Sequence, residues 1–452
     1  MSSKSISNRP SAPRVATGMP WWIWASVILF ALVLLVSIVR NLIPEDPDQL
    51  FAEAEAALQQ QQPAVVQDRI ERLRPFDAFS GKVAYLEGAI FLGRNMPLKA
   101  IPLLLQASES NDIRGKALVY LGQSYGRSGQ LPEAIEVLKS ALDDPESGDR
   151  SRSILAGMLS SVQAYDEAIE HLNVLIERNV DPAQILALRA EIYLDTHRFK
   201  EAAADLEASI SANEADPAIG SKAVKMLRAR TMINDFSSTG GVEDKLDNPV
   251  SQNHFKSLRY LSEGKLEDAQ RALEQAIMEG ADTPMLSGVF GKITAAHDNP
   301  QLALDGLPRV YTACLTSPRN ADLMRTLQTL ATQAGENELA ARCAENVDGL
   351  EAIRRQMFAQ LEVVAPNYDD VEGRLILADL ALDCGETEFA DRIFQGLVLF
   401  FTDYESVIQE RRASFEARRL PLVPIPAPPG FNVSVDSLTN EEPPPIPPRS
   451  PK

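Results

Sequence analysis

The sequence predicts an all-α protein built from stacked helical hairpins. Three observations support this: small and bulky residues recur with a period of 34, strand signals are nearly absent over 452 residues, and helix-ending residues separate the two halves of the period. Thirty-four residues suffice for two helices of about 12 to 14 residues and two short turns. Each unit is therefore expected to bury its apolar face only by stacking on its neighbours.

The pattern is clearest over residues 81–216, where four consecutive units share one register. Small residues at places 8 and 20 are expected to let the two helices approach, bulky residues at places 11 and 24 to fill the gap, and place 27 to receive the next unit. Gly129 should end one first helix and Pro132 should begin the next helix. The residues at places 8, 11, 20, 24 and 27 are Gly88, Phe91, Ala100, Leu104 and Ala107; Gly122, Tyr125, Ala134, Leu138 and Ala141; Ala156, Leu159, Ala168, Leu172 and Leu175; and Ala190, Tyr193, Ala202, Leu206 and Ser209.

This arrangement resembles the tetratricopeptide repeat. Units of that family carry small, aromatic, small, bulky and small residues at these places and a proline near the end, which Pro145 and Pro182 approximate. The family's tryptophan at place 4 is replaced here, for example by Ala84 and Leu118. The resemblance implies a solenoid whose concave surface binds proteins or peptides.

Weaker copies of the pattern extend the array to about eight or nine units in two blocks, residues 47–234 and 250–418. A polar, glycine-rich stretch at 235–249 is predicted to be the linker between them. About 16 extra residues in the second block, including "RRQMFAQLEV", should either lengthen one helix or insert a bend. The residues that carry the register outside 81–216 are Ala54, Ala57, Ile70, Tyr260, Gly264, Ala269, Leu273, Ala276, Gly291, Ala303, Leu307, Gly335, Ala340, Ala344, Ala378, Gly385, Ala390 and Phe394.

The N-terminal region predicts a membrane anchor. Residues 21–39 hold no charge and as a helix would be about 28 Å long, close to the thickness of a bilayer's hydrocarbon core. Trp21, Trp22 and Trp24 gather at one edge, as in an interfacial belt. We expect a transmembrane helix over 21–43, with a cleaved signal peptide as the alternative.

The orientation of this anchor follows from the basic residues near its ends. Lys4, Arg9 and Arg14 lie in the preceding arm, residues 1–20, whereas Arg40 alone follows closely. The positive-inside rule then places the arm in the cytoplasm and the repeats outside it, at a cytoplasmic (inner) membrane. The reverse topology, with cytosolic repeats, is the alternative.

Charge and composition limit the classes of partner that the protein can bind. The net charge of the chain is −19. The first 40 residues carry four basic and no acidic residues, so the remaining residues carry a net charge of −23. This acidity excludes nucleic acid as a main partner. From Pro421 onward the chain contains 11 of its 30 prolines, which predicts a disordered proline-rich tail over 419–452.

No motif for catalysis, cofactor binding or metal binding appears. The four histidines are scattered, phosphate-binding and zinc-binding spacings are missing, and the three cysteines are expected to be buried apolar residues. We therefore expect no enzyme activity, no cofactor and no metal. The rival hypothesis is a catalytic pocket near 235–260 that contains His254. The cysteines are Cys314, Cys343 and Cys384.

The expected binding surface is the concave groove over 81–216, which we call the first-block groove. The resemblance places the groove-facing positions at places 2, 5, 9, 12 and 13, and three basic residues stand at place 2 in consecutive units. Such a ladder could bind peptide carboxylates, or it could be an exposed row that only aids solubility. Val119 and Gln123 occupy places 5 and 9, where chaperone-binding relatives have lysine and asparagine, so that specificity is not expected. The groove candidates are Lys82, Tyr85, Lys116, Gln123, Arg127, Arg150 and Ser160.

These features together predict a membrane-anchored adaptor or scaffold for protein–protein interactions. By analogy of layout with single-pass anchored repeat proteins of bacteria, assembly, secretion or quality control of envelope proteins are the expected processes. The alternative is a cytosol-facing scaffold that recruits a protease or synthase to the membrane. The partner's identity and the oligomeric state stay open.

Overall fold

A computed structural model describes residues 46–236, 242–280, 283–416, 421–429 and 431, together with seven isolated positions between 23 and 32. The chain forms two compact units, residues 1–86 and 87–452. The predicted arm at 1–20, nearly all of the predicted span at 21–43 and the tail beyond 431 lie outside the described residues. Within the described residues, no helix combines the length and the apolar composition needed to cross a bilayer.

The described residues contain twenty α-helices and no strand, as the 34-residue period predicts. Short 3-10 turns occur at Asp77–Phe79, Val242–Lys245 and Thr402–Tyr404. The α-helices are α1 (Pro47–Gln59), α2 (Pro63–Leu73), α3 (Ser80–Gly93), α4 (Pro97–Ser108), α5 (Arg114–Arg127), α6 (Leu131–Ser140), α7 (Gly148–Ser161), α8 (Tyr165–Glu177), α9 (Pro182–Asp195), α10 (Phe199–Ala212), α11 (Ile219–Ile233), α12 (Pro249–Ser262), α13 (Leu266–Glu279), α14 (Pro284–Ala296), α15 (Pro300–Thr316), α16 (Ala321–Ala334), α17 (Asn337–Val364), α18 (Val371–Asp383), α19 (Thr387–Phe400) and α20 (Glu405–Glu416).

Close helix approach explains the small residues at place 8. A Cβ atom added to Gly88 would lie 2.6 Å from Leu104 Cγ, and one added to Gly122 would lie 2.5 Å from Leu138 Cγ. Ordinary contacts begin near 3.5 Å, so only glycine fits between these helices without a shift. The predicted pairing of places 8 and 24 is confirmed in both hairpins.

The turn inside each hairpin uses a left-handed residue at place 15. Gly129 has φ = 80°, and Pro132 lies in the first turn of α6, as the sequence predicts. Asn95, Gln163 and His197 occupy the same place with φ of 56°, 58° and 56°. The tight turn therefore sets the backbone conformation, and the residue type follows it at Gly129 and Asn95 but not at Gln163.

The described residues of the predicted linker, 235–236 and 242–249, pack with the neighbouring helices. Phe236 and Leu246 are buried in a core that runs continuously from α9 to α14. Glu243 is 1% exposed and accepts a hydrogen bond from Arg259 Nε at 2.7 Å. Phe236, Glu243 and Leu246 cover α11, which has no second helix to complete its own hairpin. The polar composition of the stretch did not indicate these two buried apolar side chains and the paired charge.

The extra residues of the second block lengthen a helix. "RRQMFAQLEV" lies inside α17, which runs unbroken for 28 residues. Of the two outcomes left open by the sequence, the longer helix is the observed one. Its C-terminal half continues past its own hairpin, where Met357, Leu361 and Val364 are buried in another core.

That core joins the end of the array to its early repeats within residues 87–452. Buried residues of α17, α18 and α19 form one hydrophobic cluster with those of α6 to α9. Helix α19 also contacts α7 and α5 directly. We call this set of contacts the closing seam. The closing seam consists of tertiary contacts between residues about 200 positions apart. The 34-residue period does not predict such contacts, because it reports only contacts between neighbouring repeats.

The proline-rich segment is ordered where the structure describes it. Residues 421–429 and 431 lack helix and strand, but Ile425 is 8% exposed and belongs to the core of α15 to α17. The prediction of disorder from 419 onward is therefore wrong for this segment. Its prolines exclude regular hydrogen-bonded structure, yet they leave carbonyl groups and apolar side chains that can pack.

Candidate functional site

The first two candidates of the first-block groove, Lys82 and Tyr85, have partners within the first compact unit. Lys82 Nζ lies 3.2 Å from Asp48 Oδ1 and stands 4.4 Å from the ring centre of Phe79. Tyr85 is 4% exposed, and its ring centre is 6.3 Å from that of Phe51. The ammonium is therefore already balanced by a carboxylate and an aromatic face.

The next rungs of the ladder, Lys116 and Arg150, also meet groups of neighbouring elements. Lys116 Nζ lies 3.5 Å from Glu146 Oε2, and the exposed guanidinium of Arg150 lies 5.1 Å from the ring centre of Tyr120. Contacts between consecutive units thus account for both cations. Their predicted role in binding carboxylates stays a prediction.

The remaining candidates line the ends of the first helices. Exposed Arg127 donates from Nη1 to the carbonyl of Leu92 at 3.2 Å. Gln123 and Ser160 are half-buried. Ser161, the neighbour of Ser160, touches α19 through its carbonyl, which a Cβ atom on Gly396 would overlap. At this end of the first-block groove the chain's own α19 thus takes part of the surface predicted for a partner.

The closing seam is built around Arg374, which is 1% exposed. Its guanidinium donates to the Val162 carbonyl at 2.7 and 3.2 Å and to the Val364 carbonyl at 3.1 Å, at the C-terminal ends of α7 and α17. It also donates to the carbonyls of Asn367 at 2.7 Å and Asp370 at 3.0 Å. Burial lowers the pKa of Arg374 to about 10, so the guanidinium stays charged at neutral pH. Its positive charge is stabilised by the negative C-terminal ends of the two helix dipoles.

A second polar group of the seam joins α8, α9 and α19. Asp195 is 5% exposed and accepts from Tyr165 Oη at 2.6 Å and from Arg392 Nε at 3.1 Å. Burial raises the pKa of the Asp195 carboxyl, and the Arg392 charge opposes that shift. This carboxylate is costly to disturb, because loss of Arg392 leaves a buried charge without its partner and loss of Tyr165 removes a hydrogen bond from it.

Four further polar contacts lie at the seam. Tyr368 Oη donates to Glu167, which also accepts from Lys139 at 2.6 Å. Burial and the nearby Glu167 carboxylate raise the pKa of Tyr368 to about 12. Glu386 Oε1 lies 3.0 Å from Arg354 Nη2 and 3.3 Å from His197 Nε2. These groups add polar contacts to the apolar packing of the seam.

A cavity of about 280 Å³ lies next to the seam between α9, α11 and α19, and we call it the inner cleft. Its apolar side includes half-buried Leu194 and Phe199 and exposed Met232. Its rim carries two ion pairs, Lys225 with Glu191 at 2.5 Å and Arg228 with Glu388 at 2.7 Å. The full lining is Glu191, Leu194, Asp195, Phe199, Lys225, Arg228, Ala229, Met232, Gly385, Glu386, Thr387, Glu388, Phe389 and Arg392.

The rival catalytic pocket near 235–260 finds no support in these contacts. His254 is 3% exposed, and burial together with the charges of Arg228 and Lys292 lowers its pKa to about 4. It does not line the inner cleft. Among the described residues, no group of three or more histidine, cysteine or acidic side chains is arranged to hold a metal ion. Cys314, Cys343 and Cys384 are buried, as predicted.

Sequence reasoning missed the residues of the closing seam. The available signal was a charge at a place that is otherwise small or apolar, as Arg374 is, four residues before Ala378. Arg152 stands at the corresponding place of an earlier unit, however, and its Nη1 lies 3.2 Å from His171 Nδ1 instead. The same signal thus precedes two different contacts, and only the three-dimensional fold separates them.

The comparisons with known proteins bear on the fold. No protein-family model and no curated protein matches the sequence. Among solved structures, the TPR domain of P58(IPK) is 13% identical, with 80% of this chain and 100% of that chain covered and a TM-score of 0.22. The APC/C hetero-tetramer Cut9-Hcn1 is 12% identical, with 85% and 93% covered and a TM-score of 0.24.

At such low identity and TM-scores, the assignment of the fold rests on the chain's own helices. The described residues form helical hairpins in the predicted 34-residue register, with glycine at the closest helix contacts. The chain therefore resembles tetratricopeptide-repeat proteins in its helical architecture.

Proposed function

We propose that the protein is a membrane-anchored scaffold that binds a partner protein at the inner cleft. The observation that carries this proposal is the lining of the cleft, where Leu194, Phe199 and Met232 provide an apolar surface inside a rim of charged side chains. Protein interfaces have this anatomy, with an apolar anchor site surrounded by polar groups. The volume is suited to one large apolar side chain of a partner.

The rim adds selectivity to this site. Arg228 and Glu388 have side chains that are 51% and 69% exposed, so a partner can reach both without unfolding the seam. Because α11 and α19 each supply one of these charges, the cleft exists only while the two helices are held together. Binding is therefore expected to depend on the closing seam.

The test fills the cleft with a bulky side chain and compares it with the same change elsewhere. Thr387 is exposed, begins α19 and lines the cleft, so Thr387→Trp should block an entering side chain with little cost to the core. Thr329 is exposed on α16 and does not line the cleft, which makes Thr329→Trp the matched control.

The readout is recovery of co-purifying proteins from the native cells with tagged full-length chain. We expect a protein that binds the cleft to be recovered equally with the wild type and with Thr329→Trp. Its recovered amount should fall at least tenfold with Thr387→Trp. Equal recovery with Thr387→Trp, while circular dichroism shows an intact fold, would contradict binding at the cleft.

Membrane anchoring through residues 21–43 and an extracytoplasmic position of the repeats belong to the same proposal. Their support is the uncharged stretch, the tryptophans at its edge and the three basic residues before it. In that position the scaffold would serve assembly, secretion or quality control of envelope proteins. A cytosol-facing scaffold that recruits a protease or synthase is the alternative.

Cysteine labelling in intact cells decides between the two topologies. The three native cysteines are buried and should react little with a maleimide. Thr329 is exposed, so Thr329→Cys introduces an accessible thiol into the repeats. A membrane-impermeant maleimide should label Thr329→Cys before lysis if the repeats are extracytoplasmic. Labelling only after lysis would establish the cytosolic alternative.

A further inference from the structure

Residues 421–429 and Phe431 lie against α15 and α17 in a surface that binds the peptide main chain. Asn346 is fully buried, and its amide accepts from Val423 N at 2.9 Å and donates to the Val423 carbonyl at 2.8 Å. Tyr311 Oη donates to the Ile425 carbonyl at 3.2 Å. Because these bonds engage the backbone, they hold a peptide in a defined register whatever its side chains are.

Apolar contacts alternate with these hydrogen bonds. Ile425 is buried in the core of α15 to α17, and the ring of Phe431 meets that of Tyr311 edge-on at 4.8 Å between centres. Leu422 approaches Gly349 so closely that a Cβ atom there would lie 2.8 Å from Leu422 Cδ1. We call this surface, formed by Tyr311, Asn346 and Gly349 with their neighbours, the tail groove.

Gly349 leaves room for the Leu422 side chain in the tail groove. It stands in the middle of a 28-residue helix, where glycine is an unfavourable residue. A larger residue at this position would require the exposed end of the Leu422 side chain to shift. Helix stability is thus lower here, in return for room beside a bound peptide.

The bound segment also has the chemistry of a displaceable ligand. Five of its eleven residues are proline, which restricts the free peptide to extended conformations and lowers the entropy lost on binding. Three main-chain hydrogen bonds and the apolar contacts of Leu422, Ile425 and Phe431 form a small contact area. A tethered segment held by so small a contact exchanges with a competitor at sufficient concentration.

We propose that the tail groove is a binding site for apolar, proline-containing peptide segments, and that residues 421–429 and Phe431 occupy it in cis. A partner segment with apolar residues at the places of Leu422 and Ile425 competes for the same main-chain donors and acceptors. The tail then acts as a built-in competitor that sets the partner concentration needed for binding. This site is separate from the inner cleft and does not depend on it.

The experiment uses the full-length chain and a fluorescein-labelled peptide, PLVPIPAPPGF, with the sequence of residues 421–431. Ile425→Asp puts a carboxylate into the buried position and should release the tail. Ile376 is 42% exposed on α18, so Ile376→Asp is the matched control. We expect fluorescence anisotropy to show at least tenfold tighter binding of the peptide to Ile425→Asp than to the wild type or to Ile376→Asp.

Two further variants connect that binding to the groove. Asn346→Ala in the Ile425→Asp chain should reduce peptide binding at least tenfold. A peptide with proline at the place of Val423 should bind at least tenfold more weakly as well, because proline lacks the N–H that Val423 donates to Asn346. If circular dichroism shows loss of helix in Ile425→Asp, Val423→Pro in the chain replaces it. Equal binding to the wild type and the released variant, or no binding to a folded released variant, would overturn the proposal.

Discussion

Arg374 donates hydrogen bonds to the carbonyl of Val162, a residue 212 positions earlier in the chain. The contact places a buried cation at the end of α7 and at the end of α17 together. Since helix C-termini carry partial negative charge and unpaired carbonyls, one guanidinium satisfies both. This relationship fixes α17 and α18 on the early repeats and so positions α19 beside the inner cleft.

Replacing Arg374 with methionine should destabilise the protein by about 3 kcal/mol. The variant keeps the apolar stem but leaves buried carbonyls such as that of Val162 without donors. Arg178→Met is the control, because Arg178 is an exposed ion-pair residue and its loss should change stability by less than about 0.5 kcal/mol. Urea unfolding followed by circular dichroism measures both, and equal values would contradict the role of Arg374.

Asp195 and Arg392 should be energetically coupled although they are 197 residues apart. Asp195→Asn and Arg392→Met each break a buried charge pair, at a cost of about 3 kcal/mol each. The double variant should lose less than the sum by at least about 1 kcal/mol, because the second change removes a charge already unpaired. Unfolding free energies of the four proteins give the coupling, and strict additivity would show that the pair is not formed.

Two glycines with the same backbone conformation should respond differently to alanine. Gly264 has φ = 72° and open space around it, so Gly264→Ala should cost only the strain of a left-handed residue, about 1 kcal/mol. Gly129 has φ = 80°, and a Cβ atom there would lie 2.6 Å from the Phe400 carbonyl. Gly129→Ala should therefore cost about 2 to 4 kcal/mol, as thermal unfolding will show. Similar costs at both positions would place α19 away from this turn.

His254 should make the fold sensitive to mild acid. Its pKa is about 4 in the folded state and about 6.5 in the unfolded chain, so below pH 6.5 the unfolded chain binds a proton that the fold excludes. Stability therefore falls as the pH drops from about 6.5 to about 4, by as much as about 3 kcal/mol. His254→Phe should remove this contribution, whereas His297→Phe, at an exposed residue, should retain it. Urea unfolding at pH 7 and pH 4.5 measures the difference, and an unchanged pH dependence in His254→Phe would contradict it.

The hairpins could be predicted because each unit contacts its nearest neighbours, and such contacts leave a period in the sequence. Gly122 and Leu138 illustrate this, since the same pair of places meets again at Gly88 and Leu104. The sequence also predicts the turn at Gly129. It does not predict the left-handed turns at residues such as His197, where tertiary packing overrides the preference of the side chain.

The closing seam and the tail groove could not be predicted in this way. Arg374 and Val162 belong to repeats that meet only because of the cumulative rotation along the stack, and that rotation has no local signature. Asn346 looks like an ordinary polar residue of an amphipathic helix until Val423 lies against it. Proline content indicates that a segment lacks helix, but it contains no information on whether the segment packs.

Crosslinking of α11 to α19 tests the closing seam most directly. Arg228 and Glu388 form an exposed ion pair at 2.7 Å, so cysteines introduced as Arg228→Cys and Glu388→Cys should lie within reach of a short bis-maleimide. The native cysteines are buried and should contribute little background. We expect mass spectrometry of the monomer to find the 228–388 crosslink in high yield, and a yield reduced by Arg374→Met. Independent modification of the two cysteines without a crosslink would contradict the seam and, with it, the inner cleft.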